Sequence, residues 1–126
     1  MIRKLIAATA LAGSLVLLAA GTASADNKSI NGLSLPGGNR VCLDSTLSYQ
    51  SAQAGGFADR NNIKWTFYAK PYGTWTNQLL TEVDGPQFGV AVDRYSTFGL
   101  FPGFFRVCAR NQGTQVATVS MWLNTY

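Results

Sequence analysis

The chain has no histidine, only two cysteines, few charged residues and, beyond residue 20, no long apolar run. Without histidine it lacks the commonest general base and metal ligand, and with it the usual serine or cysteine triad. Two isolated cysteines unsupported by histidine also make a poor zinc site. The lack of a later apolar run leaves no helix that could span a bilayer once the first segment is gone. Carboxylates are scarce too, with six in all. Two flanking a sugar bond would suffice for glycoside hydrolysis, and Glu82 with Asp84 or Asp59 with Asp93 could be proposed. In a set of six some pair is always arguable, and Asp84, before a glycine and a proline, is better explained as a turn former. The expectation is a non-enzymatic protein without cofactor or metal.

What is present begins with an export signal. Arg3 and Lys4 precede an apolar run over residues 5–20, and Ala23, Ser24 and Ala25 supply small residues for cleavage, so residues 1–25 read as a signal peptide. Removing 25 of 126 residues leaves 101, enough for one domain with a single core. Loss of Arg3 and Lys4 takes the ten basic residues to eight, against six acidic ones, a net charge of +2. The eight (Lys28, Arg40, Arg60, Lys64, Lys70, Arg94, Arg106 and Arg110) are scattered, so neither nucleic acid nor a membrane surface is expected as partner. The expected location is extracellular. In that oxidising compartment Cys42 and Cys108 are most simply a disulfide, worth about 4 kcal/mol by loop closure.

The remainder alternates as strands do. Residues 26–39 hold three glycines, a proline and three asparagines, which predicts a flexible arm outside the core; its removal should leave a folded domain. Within it Ile30, Leu33 and Leu35 give enough pattern to lie in a partner's groove or along the domain's own edge. Strands are predicted over residues 40–50, 63–70, 75–83, 87–93, 95–101, 104–110 and 115–124, with a loop at 51–62 marked by Gly55-Gly56 and Asn61-Asn62. In the clearest, Ile63, Trp65, Phe67 and Ala69 point inward while Lys64, Thr66, Tyr68 and Lys70 face water. Phe105, Val107 and Ala109 form a second inward set. Cys42 and Cys108 both fall on the face opposite the apolar residues, so the bridge is either on the outer surface or turned inward by a bulge. Pro102-Gly103 suits a type II turn, and residues 111–114 a hairpin.

About seven strands at spacings near ten residues, with no helical stretch, predict a single antiparallel β-sandwich over residues 40–126. Cys42, Trp65 and Cys108 in that order resemble the immunoglobulin fold, in which a tryptophan packs on a bridge between two sheets. The position two before the second cysteine, a tyrosine in that fold, is Arg106 here.

Function then rests on contact surfaces. Tyr95, Phe98, Leu100, Phe101, Phe104 and Phe105 crowd one stretch and serve either as core or as a contact patch, with Phe98 and Phe101 as candidate contacts. Tyr68, Tyr72, Trp75 and Trp122 would form a sugar-stacking platform if they shared one exposed face. The export signal, the small size, the polar arm and the cysteine-linked β domain together resemble the adaptor subunit of the umbrella-shaped antibacterial toxin particles secreted by actinomycetes. That resemblance implies an arm, here Ile30, Leu33 and Leu35, inserted into a trypsin-like lectin subunit, and a domain that meets the spokes of a large repeat-containing toxin chain. The alternatives are a small inhibitor of a secreted hydrolase and a carbohydrate or cell-wall binding module.

Overall fold

The computed structural model describes residues 26–96 and 99–126; the leader expected over residues 1–25 and the candidate contact Phe98 lie outside them. Eight strands follow in order: β1 Asp26–Leu35, β2 Arg40–Asp44, β3 Ser51–Ala58, β4 Ile63–Pro71, β5 Gln78–Asp84, β6 Gln87–Asp93, β7 Gly103–Asn111 and β8 Ala117–Thr125. They form two four-stranded antiparallel sheets, β1-β8-β3-β6 and β2-β7-β4-β5. First pairs with last, second with seventh, third with sixth and fourth with fifth. The chain is one long hairpin rolled over on itself, the strand order of a jelly roll.

Only β4 and β5 are consecutive neighbours in one sheet; every other connection crosses between the sheets. Residues 112–116 are therefore an arch from β7 to β8 and not the expected hairpin. Gly103 already belongs to β7 and lacks the positive φ that a type II turn needs at that position, so no type II turn forms there.

Alternation explains which residues became core. Ile63, Trp65, Phe67 and Ala69 of β4 and Phe105, Val107 and Ala109 of β7 face Ala117, Val119, Met121 and Leu123 of β8 across the sandwich, all buried. Trp65 of one sheet stacks on Phe88 of the other, ring centroids 6.0 Å apart and nearly parallel, and its indole N–H donates to Gly85 O at 2.8 Å. A buried ring of this size stabilises by several kcal/mol, and its polar atom is satisfied.

Four expectations are corrected. First, residues 26–35 are not a free arm but an edge strand on β8. Leu35 is buried, Ile30 packs against the core, and Leu33 is 37% exposed. One extra residue between the Ile30–Met121 and Leu33–Val119 pairs lets all three face inward despite their uneven spacing, with Gly32 at φ 65° in the bulge. The Asp26 carboxylate accepts from the Thr46 N–H at 2.7 Å, fastening the strand to the β2–β3 connection. Deleting the segment would thus bare β8 and uncover core.

Second, residues 51–58, expected as loop, are the inner strand β3. Its two glycines are not breakers but clearances: the Trp122 ring lies over Gly55 on the outer face and the Trp65 ring over Gly56 on the inner face, where a Cβ would overlap each. Third, the described residues of the expected strand 95–101, which are 95, 96 and 99–101, belong to no strand, and with β1 and β3 added the count is eight. Fourth, the disulfide does not join the two sheets as in the immunoglobulin fold. Cys42 and Cys108 sit opposite each other on adjacent strands β2 and β7, Cα atoms 4.1 Å apart, in continuous register and on the outer face. No bulge turns them inward. Cys108 is nevertheless buried, because β7 is flanked on both sides, with Thr66 of β4 at the same level.

Two buried polar residues close the ends. The Asn111 side-chain amide donates to Leu35 O and Gln115 O while its Oδ1 accepts from the Gly113 N–H, joining β1, β7 and the arch into β8. Ser48 exchanges backbone hydrogen bonds with Gly103, and its hydroxyl donates to Tyr126 O at 2.6 Å.

Candidate functional site

The rolled topology sorts the seven connections into two ends. Residues 36–39, 59–62, 85–86 and 112–116 lie at one end and contain no aromatic residue. Residues 45–50, 72–77, 94–96 and 99–102 lie at the other, beside Asp26 and Tyr126. That second end carries Tyr49, Tyr72, Trp75, Tyr95 and Tyr126, all exposed, with Trp75 at 95% and Tyr95 at 83%. An aromatic ring held almost wholly in water has given up the burial that normally keeps such side chains inside a sandwich. Five such side chains at one pole, and none in the connections at the other, make this end the candidate site.

The loops that present them are tied down. Gly73, at φ 87°, turns the chain after β4; the Thr74 N–H and hydroxyl both donate to Pro71 O, and the Tyr72 N–H donates to Pro102 O across to the β6–β7 connection. Asp93 ends β6 by accepting from the Tyr95 and Ser96 N–H groups at 2.9 and 2.8 Å, which holds its carboxyl below the usual carboxylate range. The Arg94 guanidinium lies 4.9 Å from the Tyr95 ring centre and donates to its hydroxyl, fixing the ring outward. The Tyr49 N–H donates to Tyr126 O. These loops are positioned by hydrogen bonds, and the β6–β7 connection also by burial of Leu100, an arrangement suited to presenting side chains.

Beside this end, on the outer face of the β2-β7-β4-β5 sheet, runs a shallow groove of about 260 Å³ lined by Asp44, Ser45, Lys70, Asn77, Phe104 and Arg106 among others. Its charges are largely matched. Arg106 donates to both oxygens of Asp44, and the Lys70 ammonium lies 5.6 Å from the Phe104 ring centre.

The residues singled out from the sequence are dispersed by the fold. Ile30, Leu33 and Leu35 face inward from β1 and do not reach the aromatic end as a group. Phe101 is half-buried, 5.2 Å from Phe105 between ring centres, and Leu100 is in the core, so the aromatic stretch divides into core and surface instead of forming one patch. Of the proposed stacking platform, Tyr72 and Trp75 share the aromatic end, whereas Tyr68 and Trp122 lie on opposite outer faces of the sandwich. Glu82 and Asp84 both engage Lys64, at 2.7 and 3.8 Å, and Asp59 and Asp93 occupy opposite ends. Among the described residues no group of three or more cysteine, aspartate or glutamate side chains could hold a metal ion.

Sequence reasoning missed Tyr49, placed in an overlong first strand, and Tyr126. The available signal was that each exposed ring sits in a polar connection or at a strand end, outside the alternating runs. Comparison with models of known protein families finds no match, and no curated protein matches the chain.

Proposed function

We propose that the chain is an exported, non-enzymatic binding module that works by holding other secreted proteins, through its aromatic end and not through an inserted N-terminal arm. The supporting observation is the polarity of the sandwich: four exposed aromatic side chains on tethered loops at one end, with Tyr126 beside them, opposed by an aromatic-free set of connections at the other. Tyrosine and tryptophan supply large contact area at little conformational cost, the composition of binding hot spots. An adaptor joining a trypsin-like lectin subunit to a large repeat-containing toxin chain is the specific form of this reading. It rests on the resemblance given above, with the role assigned to Ile30, Leu33 and Leu35 passing to Tyr72, Trp75 and Tyr95.

Capture of partners from the native culture supernatant by the immobilised protein tests it. The expected result is that Trp75→Ala with Tyr95→Ala abolishes recovery of partners that the unaltered protein brings down, while melting temperature is unchanged. Equal recovery by the variant would refute the site. A second reading, a carbohydrate-binding module, is favoured by the solvent-facing ring of Trp75 and the neighbouring polar groove. Retention on cell-wall polysaccharide that Trp75→Ala removes, with no protein captured, would select it.

A further inference from the structure

The four sheet edges of this sandwich are not treated alike. β1 carries a bulge and the charged Asp26 and Lys28; β2 is five residues long and bounded by Arg40 and Asp44; β5 is bulged against β4 and carries Glu82 and Asp84. These are the devices that stop an edge from pairing with another chain. β6 has only one of them, the charge of Asp93 at its last position. It pairs with β3 over seven residues in unbroken register, contains no proline, and bears no charge from Gln87 to Val92.

Its free side can be read from its bound side. The Arg94 N–H donates to Gln50 O of the β3 side, and Pro86 O accepts from the Ala58 N–H, so the even-numbered backbone groups of β6 point into the sheet. By strand alternation Gln87, Gly89, Ala91 and Asp93 direct their N–H and C=O groups outward. Val90 and Val92, on the inner face, are only half buried, and Val83 of β5 is 37% exposed along the same flank. At the opposite flank, Asp26 reaches across to Thr46.

We propose that β6 pairs antiparallel with β6 of a second copy about a two-fold axis through Val90, giving a continuous eight-stranded sheet. The occupant follows from the self-complementarity of the span. About that axis Gly89 faces Ala91 of the second copy and Gln87 faces Asp93, so the outward groups at both ends meet partners together. No like charges oppose each other, since the only carboxylate in the span lies across from a neutral amide. Gly89 and Ala91 leave the outer face flat, and on the inner face the two Val90 side chains meet, covering the open flank. The assembly goes beyond the binding reading above. Because the strands run antiparallel, it would point the two aromatic ends in opposite directions.

The test is the mass of the purified protein across a concentration series by light scattering and sedimentation. A concentration-dependent dimer is expected. Ala91→Pro removes an outward N–H without touching the ladder to β3, and should leave circular dichroism intact while abolishing the dimer. Register is tested by cysteine pairs under mild oxidation: Val90→Cys should give a covalent dimer, because the two side chains face each other at a close non-hydrogen-bonded position, and Ala91→Cys should not. A wild-type monomer at every concentration overturns the proposal, as does a dimer indifferent to Ala91→Pro. Should Ala91→Pro fail to fold, the cysteine pair decides: cross-linking of Ala91→Cys as readily as Val90→Cys also overturns it.

Discussion

At the scale of single residues, Gly56 and Gly89 make a controlled pair. Both lie within strands, but Gly56 sits beneath the Trp65 ring and close to Ser120 O, whereas nothing lies within 4 Å of a Cβ placed on Gly89. Gly56→Ala should destabilise the fold by about 1–3 kcal/mol through forced repacking, and Gly89→Ala should be close to neutral or slightly stabilising. Urea midpoints at constant slope measure both. Asp26 allows a second prediction. Its carboxyl is held below the ordinary aspartate value, first by the Thr46 backbone N–H and also by the Thr46 hydroxyl and Lys28. A depressed pKa contributes stability that is fully present above the unfolded value and is lost as pH falls through the folded one, so the contribution should begin to decline near about pH 4 and vanish at more acid pH. Thermal melts between pH 6 and pH 2 should therefore show a shallower acid decline for Asp26→Asn than for the wild type.

At the scale of elements, the β2–β7 staple and the β1 edge make separable contributions. The disulfide closes a separation of 66 residues, so its reduction should cost about 4 kcal/mol and lower the melting temperature by well over several degrees. An unchanged melt with reductant would mean that the cysteines are not joined in solution. Deleting residues 26–35 should be worse than reduction, because it removes the buried Leu35 and orphans the Asn111 amide that donates to Leu35 O.

These elements also show how far the sequence can be read. β4, β6, β7 and β8 were legible because their inward apolar residues recur at every second position. β3 was not, since Gly55 and Gly56 carry the ordinary signature of a break and their reason for being there is two tryptophans, Trp65 lying 9 positions from Gly56 and Trp122 lying 67 from Gly55. β1 was hidden by its bulge and its polar surface, which are what an edge strand requires. Alternation puts Cys42 and Cys108 on the face opposite the apolar residues but leaves open whether a bulge turns them inward; their adjacency in one sheet is a fact of strand order, and strand order is not written in local pattern. The candidate site was half visible: Tyr72, Trp75 and Tyr95 could be picked out as residues, while their common end needed the topology.

For the whole molecule, the division between an aromatic and a polar end gives the clearest functional expectation. Substitution at the polar end, for example Arg60→Ala with Gln115→Ala, should leave partner recovery unchanged, while Tyr72→Ala with Trp75→Ala should reduce it strongly. Side-by-side capture from the same supernatant compares them. Truncation of core residues such as Trp65 would instead lower stability by about 3–5 kcal/mol and reduce recovery only through loss of folded material.

The pairing of Asp26 with Thr125 has a practical corollary. Where the first described strand starts and the last one finishes, the surface is the same one that bears the exposed rings. An affinity handle or reporter appended after Tyr126 would therefore hang over that surface and could mask it, so a probe intended to leave it open is better introduced in the glycine-containing arch at residues 112–116, on the far pole.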